Sequence, residues 1–190
     1  MKQSIRGFLR AFTCIFLLLA AVFCHPAVAQ TFVHPGALNS QADFDRIKAK
    51  VAAGQGPWYD SYLTLCNDSL TSLTTGWSPY QTIYRGSGSP DNYAQSQTQA
   101  IRIYLLALRY RLSGDTRYAD KAIKGMDAWS NTMTGGPSGN NWGLAAGLCG
   151  YEFAVAGETL RGYPGWSQTS INNYKNFLSL FVGENRDHLF

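Results

Sequence analysis

The stretch DNYAQSQTQAIRIYLLALRYRLSGDTRYADKAIKGMDAWSNTM, Asp91 to Met133, decides the fold class. From about Asn92 to Leu112 the residues predict a helix that is apolar nearly all round between Ile101 and Leu108, which requires neighbours on several sides. Gly114 ends it, and Asp115 supplies an N-cap for a second helix. In that second helix Tyr118/Ala119, Ala122/Ile123, Met126 and Trp129 recur at helical spacing. A turn as short as Ser113-Gly114-Asp115 predicts that the two helices lie antiparallel.

Working outward, the same pattern predicts four more helices, six in three pairs. The first runs near Gln41 to Ala53, capped by Ser40 with Asp43 three residues on, and places Phe44, Ile47 and Val51 on one face. Its partner starts at Pro57, with Tyr59, Tyr62/Leu63, Cys66 and Leu70 along a stripe. A fifth helix, near Asn141 to Arg161, aligns Ala145, Cys149, Phe153, Ala156 and Leu160. The sixth follows Gly162-Tyr163-Pro164-Gly165, is capped by Ser167 or Thr169, and carries Ile171, Tyr174, Leu178 and Phe181 on its apolar face. Alternating runs of the kind strands need are scarce, so the chain reads as all-α. The second and third pairs are offset by roughly fifty residues, a spacing that admits either a closed ring of helical pairs or an open solenoid.

At the amino end, Lys2, Arg6 and Arg10 precede an apolar run from Ala11 to Phe23, and Ala27-Val28-Ala29 offers small residues for cleavage. Residues 1–29 are therefore expected to be a signal peptide, residues 30–190 the helical domain, and the destination the periplasm or the outside of the cell. The run is shorter than the roughly 18 uninterrupted apolar residues of a bilayer span, and no later stretch approaches that length. No membrane attachment is expected after cleavage. The segment holds three of the 16 Lys+Arg and none of the 12 Asp+Glu, leaving 13 basic against 12 acidic residues, a net charge of +1. That near-neutral remainder has no basic block, which argues against a nucleic-acid partner. Of four cysteines, Cys66 and Cys149 remain, in a compartment that permits a disulfide; they are equally readable as two separately buried thiols. No Cys/His cluster suggests a metal, and no cofactor motif is present.

One long segment lacks regular pattern. Thr71 to Pro90 contains Trp77, Tyr80, Tyr84 and Arg85 among Gly, Ser and Pro. Long loops in compact domains are commonly functional, and flat aromatic faces beside an arginine suit sugar rings and their carboxylates. These four residues form the first set of candidate substrate-binding groups.

The order of several phrases resembles a known family. Phe32-Val33-His34-Pro35-Gly36, Gln41 through Val51, and Gly56-Pro57-Trp58 look like the amino-terminal signature of the alginate lyases, secreted polysaccharide lyases. The likeness continues through Arg85-Gly86-Ser87, Leu112-Ser113-Gly114-Asp115, and Tyr118 to Ile123 running on to Ala128-Trp129-Ser130. The resemblance implies an (α/α) toroid of antiparallel helical hairpins around a groove, and β-elimination of uronate-containing polysaccharides such as alginate. Such chemistry needs groups that neutralise the uronate carboxylate and stabilise the enolate-like charge formed when the C5 proton leaves. In the family an Asn/His pair, an arginine and a tyrosine or histidine do this. Asn140-Asn141-Trp142 falls where relatives line the groove, and joins the candidate substrate-binding set.

The family's Asn-His motif is expected after the sixth helix, where this sequence reads Asp187-His188-Leu189-Phe190 and ends. The expectation is thus an incomplete toroid, truncated at its carboxyl end, with catalytic residues not assignable and little turnover of its own. His34 is expected to fix a turn, and His188 to be solvated. On the same reasoning the sixth helix, with Phe177 and Phe181, is expected to lack a neighbour and to leave an exposed apolar patch. A noncatalytic carbohydrate-binding or helical scaffold protein is the alternative function.

Overall fold

Each helix begins and ends for a local chemical reason. The computed structural model describes residues 32–86 and 91–182, so the expected signal peptide and His188 lie outside the described residues. Helix α1, Gln41–Ala52, opens on a reciprocal capping box: Asp43 N donates to Ser40 Oγ at 3.2 Å while Ser40 N donates to Asp43 Oδ2 at 2.9 Å. Helix α2, Trp58–Asn67, follows Pro57 and stops at Asp68, whose carboxylate caps a 3-10 turn at Ser69–Thr71. Leu70 therefore belongs to that turn rather than to the helix. Helix α3, Tyr93–Ser113, ends at Gly114, whose φ of 76° is left-handed and lets its N–H reach Tyr110 O at 2.8 Å. Asp115 accepts from Arg117 N and starts α4, Thr116–Thr132. Helix α5 is Trp142–Leu160, and α6, Gln168–Val182, is capped by Ser167, which accepts from Ser170 N.

The described residues are all-helical apart from one isolated parallel bridge, Tyr84 to Ser138. In space α3 packs most extensively on α5 and then on α4; α4 packs on α6, α6 on α5, and α1 and α2 on each other and on α3. The core lies among α3 to α6, where Trp129, fully buried, meets Phe153 at 5.3 Å between ring centres, and Phe153 meets Phe177 at 4.9 Å. Tilted and edge-on pairs of this kind add about 0.5–1.5 kcal/mol each beyond their area. Tyr174 is buried with them and donates to Phe153 O at 2.7 Å, which satisfies its hydroxyl.

Two expectations about packing are corrected. The α6 face is not left without a neighbour: Phe177 is buried and Phe181 packs on Phe153 and Phe177. Exposed apolar side chains cluster instead on α5, at Trp142, Leu144, Leu148 and Tyr151, with others on α2, before α1 and at Val182 where α6 ends. Helix α2 buries none of its residues, and Tyr59 and Leu63 of its stripe are exposed, because α2 packs mainly on α1, with lesser contact to the 3-10 turn and α3. Cys66 and Cys149 are separate free thiols, Cys149 on the buried face of α5.

Candidate functional site

The loop between the 3-10 turn and α3 is irregular because its carbonyls are satisfied by side chains. Arg102 of α3 donates to Ser72 O, Thr75 O and Gly76 O at 3.1, 2.6 and 2.7 Å. Its guanidinium also lies 4.2 Å from the Trp77 ring centre. On the other side Trp77 presses on α4 where Gly125 has no side chain; a Cβ there would fall 2.7 Å from Trp77 Cζ2. Lys121 sits 5.8 Å from the same ring, its ammonium made easier to deprotonate by burial and then by repulsion from Arg102 and Lys124. Trp77 is thus a half-buried wedge that holds the loop to α3 and α4.

Beyond Trp77 the chain is laced to a second loop. Gln81 O accepts from Thr134 N and Gly135 N, Ser138 N donates to Ile83 O at 2.8 Å, Arg85 N to Ser138 O at 3.0 Å, and Asn141 N to Arg85 O at 3.1 Å. The lacing depends on Gly139, whose φ is 93° and whose Cβ, if present, would lie 2.4 Å from Arg85 O. Gly86, φ 96°, makes a looser approach, since a Cβ there would lie 3.3 Å from Asn141 N and 3.4 Å from Asn140. Asn92 completes the arrangement by accepting from Tyr84 N at 2.8 Å and donating to Thr82 O at 3.0 Å.

The lacing brings Arg85, Asn140 and Asn141 together at the start of α5, with Trp142 exposed as its first residue. Tyr84 is adjacent, and Tyr80, edge-on to Trp129 at 6.4 Å, stands with it in a cleft of about 570 Å³. Trp77 is set apart on the Arg102 side.

Arg85 itself is poised as a cation. Its guanidinium lies 4.5 Å from the ring centre of Tyr93 on α3, and it makes no hydrogen bond or ion pair among the described residues. Its Nε is buried without a partner. The charge is felt on α5, where burial first and Glu152 second push the Cys149 thiol up to about 12, with Arg85 pulling the other way. Burial raises the proton affinity of Glu152 as well. The Tyr104 phenol is raised by burial, then by Tyr151 and Glu152.

Tyr93, Tyr104 and Glu152 were not among the residues expected from sequence. Their signal was present as polar interruptions on otherwise apolar helices, but which helix faces meet is set only by packing. Among the described residues no cluster of three or more His, Cys, Asp or Glu side chains stands close enough to hold a metal ion. None of the described helices is long and apolar enough to cross a membrane. His34, from the resemblance's signature phrase, ties its segment to α5: its Nδ1 is 2.5 Å from Glu158 Oε1, which also accepts from Gly36 N at 3.0 Å. Set against protein-family models, curated proteins and solved structures, the chain matches none of them.

Proposed function

We propose that this protein grips an anionic, uronate-containing polysaccharide at Arg85, as part of a secreted or periplasmic polysaccharide lyase of the alginate lyase type that acts by β-elimination. The observation that carries the proposal is the Arg85 guanidinium, stacked on Tyr93 and without a hydrogen-bonding partner among the described residues, on a segment whose backbone is bonded to that of Asn141. A carboxylate suits that fork, since Arg and carboxylate pair through two parallel charge-assisted hydrogen bonds. The amides and the exposed Trp142 ring provide groups for hydroxyls and for a sugar face. Support for a toroid comes from the order of packing: alternate helices α3 and α5 meet, and α4 and α6 meet behind them, as two layers of a helical ring require.

Binding without turnover is the second reading, and one observation favours it. His34, the one histidine among the described residues, is taken up by Glu158 near the far end of α5 from Asn141, whereas proton abstraction needs a base positioned beside the bound uronate.

The test is titration of the protein with polymannuronate, with unsaturated product followed by ultraviolet absorbance. Arg85→Ala is expected to weaken binding by about 10-fold or more, the worth of a charge-assisted hydrogen bond. Unchanged affinity in that variant overturns the assignment. Absorbance growth separates the lyase reading from the binding one.

A further inference from the structure

Two clefts on either side of the Ser130–Thr134 segment carry no positive charge. The first, of about 570 Å³, is bordered by Tyr80, Gln81, Thr82, Tyr84, Gln95 and Thr132. None of these six side chains uses its hydroxyl or amide in a hydrogen bond among the described residues. Its one carboxylate, Asp91, stands at the rim and accepts from Gly86 N at 3.2 Å and Tyr93 N at 3.1 Å. The second cleft, of about 470 Å³, presents the amides of Asn131, Asn173 and Asn176 above an apolar floor of Phe177 and Leu180. Those three amides are likewise unengaged among the described residues. Both volumes fall within the range of about 300–1,000 Å³ that small organic ligands occupy.

We infer that these clefts bind neutral hexose units, so that the polymer held at Arg85 is a heteropolysaccharide in which uncharged sugars accompany the acidic one. A hexose offers hydroxyls that both donate and accept and an apolar ring face. Unengaged amides and hydroxyls match the former, and tyrosine rings the latter. No lysine or arginine lines the first cleft, so a uronate seated in it would bring its carboxylate toward Asp91, and like charges brought together in this way are unfavourable. The clefts are held in register with Arg85 by the same lacing: Gln81 O accepts from Thr134 N and Gly135 N, and Arg85 N donates to Ser138 O. One rigid loop pair therefore presents one cationic position and two neutral ones. The inference rests on the glycan reading of Arg85, and its test separates the two.

Three probes of matched length are titrated into the protein: polymannuronate, the same polymer with its carboxyls partially reduced to hydroxymethyl groups, and the fully reduced neutral polymer. The partially reduced polymer is expected to bind most tightly. Gln95→Ala and Asn176→Ala, both at exposed positions, are expected to lose about 2- to 12-fold on it, the range for a neutral hydrogen bond, and far less on polymannuronate. Polymannuronate binding tightest, with both variants indistinguishable from wild type on every probe, overturns the inference. If Arg85→Ala leaves polymannuronate binding unchanged while Gln95→Ala still weakens the fully reduced polymer, the acidic reading falls and the neutral clefts stand.

Discussion

Gly139→Ala should damage the site more than any nearby glycine substitution, because two independent effects act at one position. The backbone there has φ 93°, where an L side chain is strained by about 1–2 kcal/mol. The added methyl would also lie 2.4 Å from Arg85 O and 3.1 Å from Arg85 C, which are backbone atoms and cannot rotate away. The two loops must then part, which threatens Arg85 N to Ser138 O at 3.0 Å and Asn141 N to Arg85 O at 3.1 Å. At about 0.5–1.5 kcal/mol for each of the two hydrogen bonds, the loss comes to about 2–5 kcal/mol with the strain included. For a domain of this size that lowers the melting temperature by about 4–20 °C. Polymannuronate affinity should fall toward that of Arg85→Ala, since Arg85 moves with its carbonyl. Gly143→Ala is the control: nothing stands within 4 Å of its Cβ, and alanine is favoured in a helix by up to about 1 kcal/mol. Thermal melts and binding titrations on the two variants decide the matter. A Gly139→Ala protein that melts and binds like wild type refutes the claim that this glycine holds the loops together.

Alkaline pH should destabilise the fold through Cys149. Its thiol is raised from 9.0 to about 12, so between those values the folded state keeps a proton that the unfolded state releases, and stability falls as pH rises. The slope is about 1.4 kcal/mol per pH unit, and Cys149→Ala should flatten the melting temperature over this range; an unchanged slope removes the assignment. Tyr174→Phe removes the hydroxyl that donates to Phe153 O at 2.7 Å, a carbonyl inside α5 that keeps its helical partner, and should cost about 0.5–1.5 kcal/mol in urea unfolding, with a neutral result showing that this second bond adds nothing to stability. Arg102→Met removes three donors to the loop carbonyls and the cation over Trp77, so at least about 2 kcal/mol should be lost. Trp77 fluorescence should shift toward the solvent-exposed value at the same time, and an unshifted spectrum would show that Gly125 packing alone seats the ring.

Local sequence carries the helices because the signals are local. Ser40 with Asp43, Gly114 and Asp115 each satisfy or reverse a backbone within a few residues of themselves, and the structure places helix ends beside them. The recurrence of Ala119, Ala122/Ile123, Met126 and Trp129 likewise marks a buried face whatever it is buried against. The neighbour is another matter. Periodicity marked Phe177 and Phe181 as apolar yet could not say that α4 and α5 would cover them, nor that the exposed apolar stripe would fall on α5 at Leu144, Leu148 and Tyr151.

The site divides in the same way. Composition singled out Tyr80, Tyr84 and Arg85, because aromatic rings and a guanidinium in irregular sequence are unusual, and the resemblance to a family added the Asn140–Trp142 segment. Their convergence depends on hydrogen bonds between segments about fifty residues apart and on a glycine at position 139 that lets two backbones touch. Trp77 belonged to the same phrase and went elsewhere, drawn by Arg102 and the gap at Gly125. Short-range capping and burial patterns are written residue by residue, whereas the meeting of Arg85 with Tyr93 and of one loop with another exists only once the chain has closed on itself.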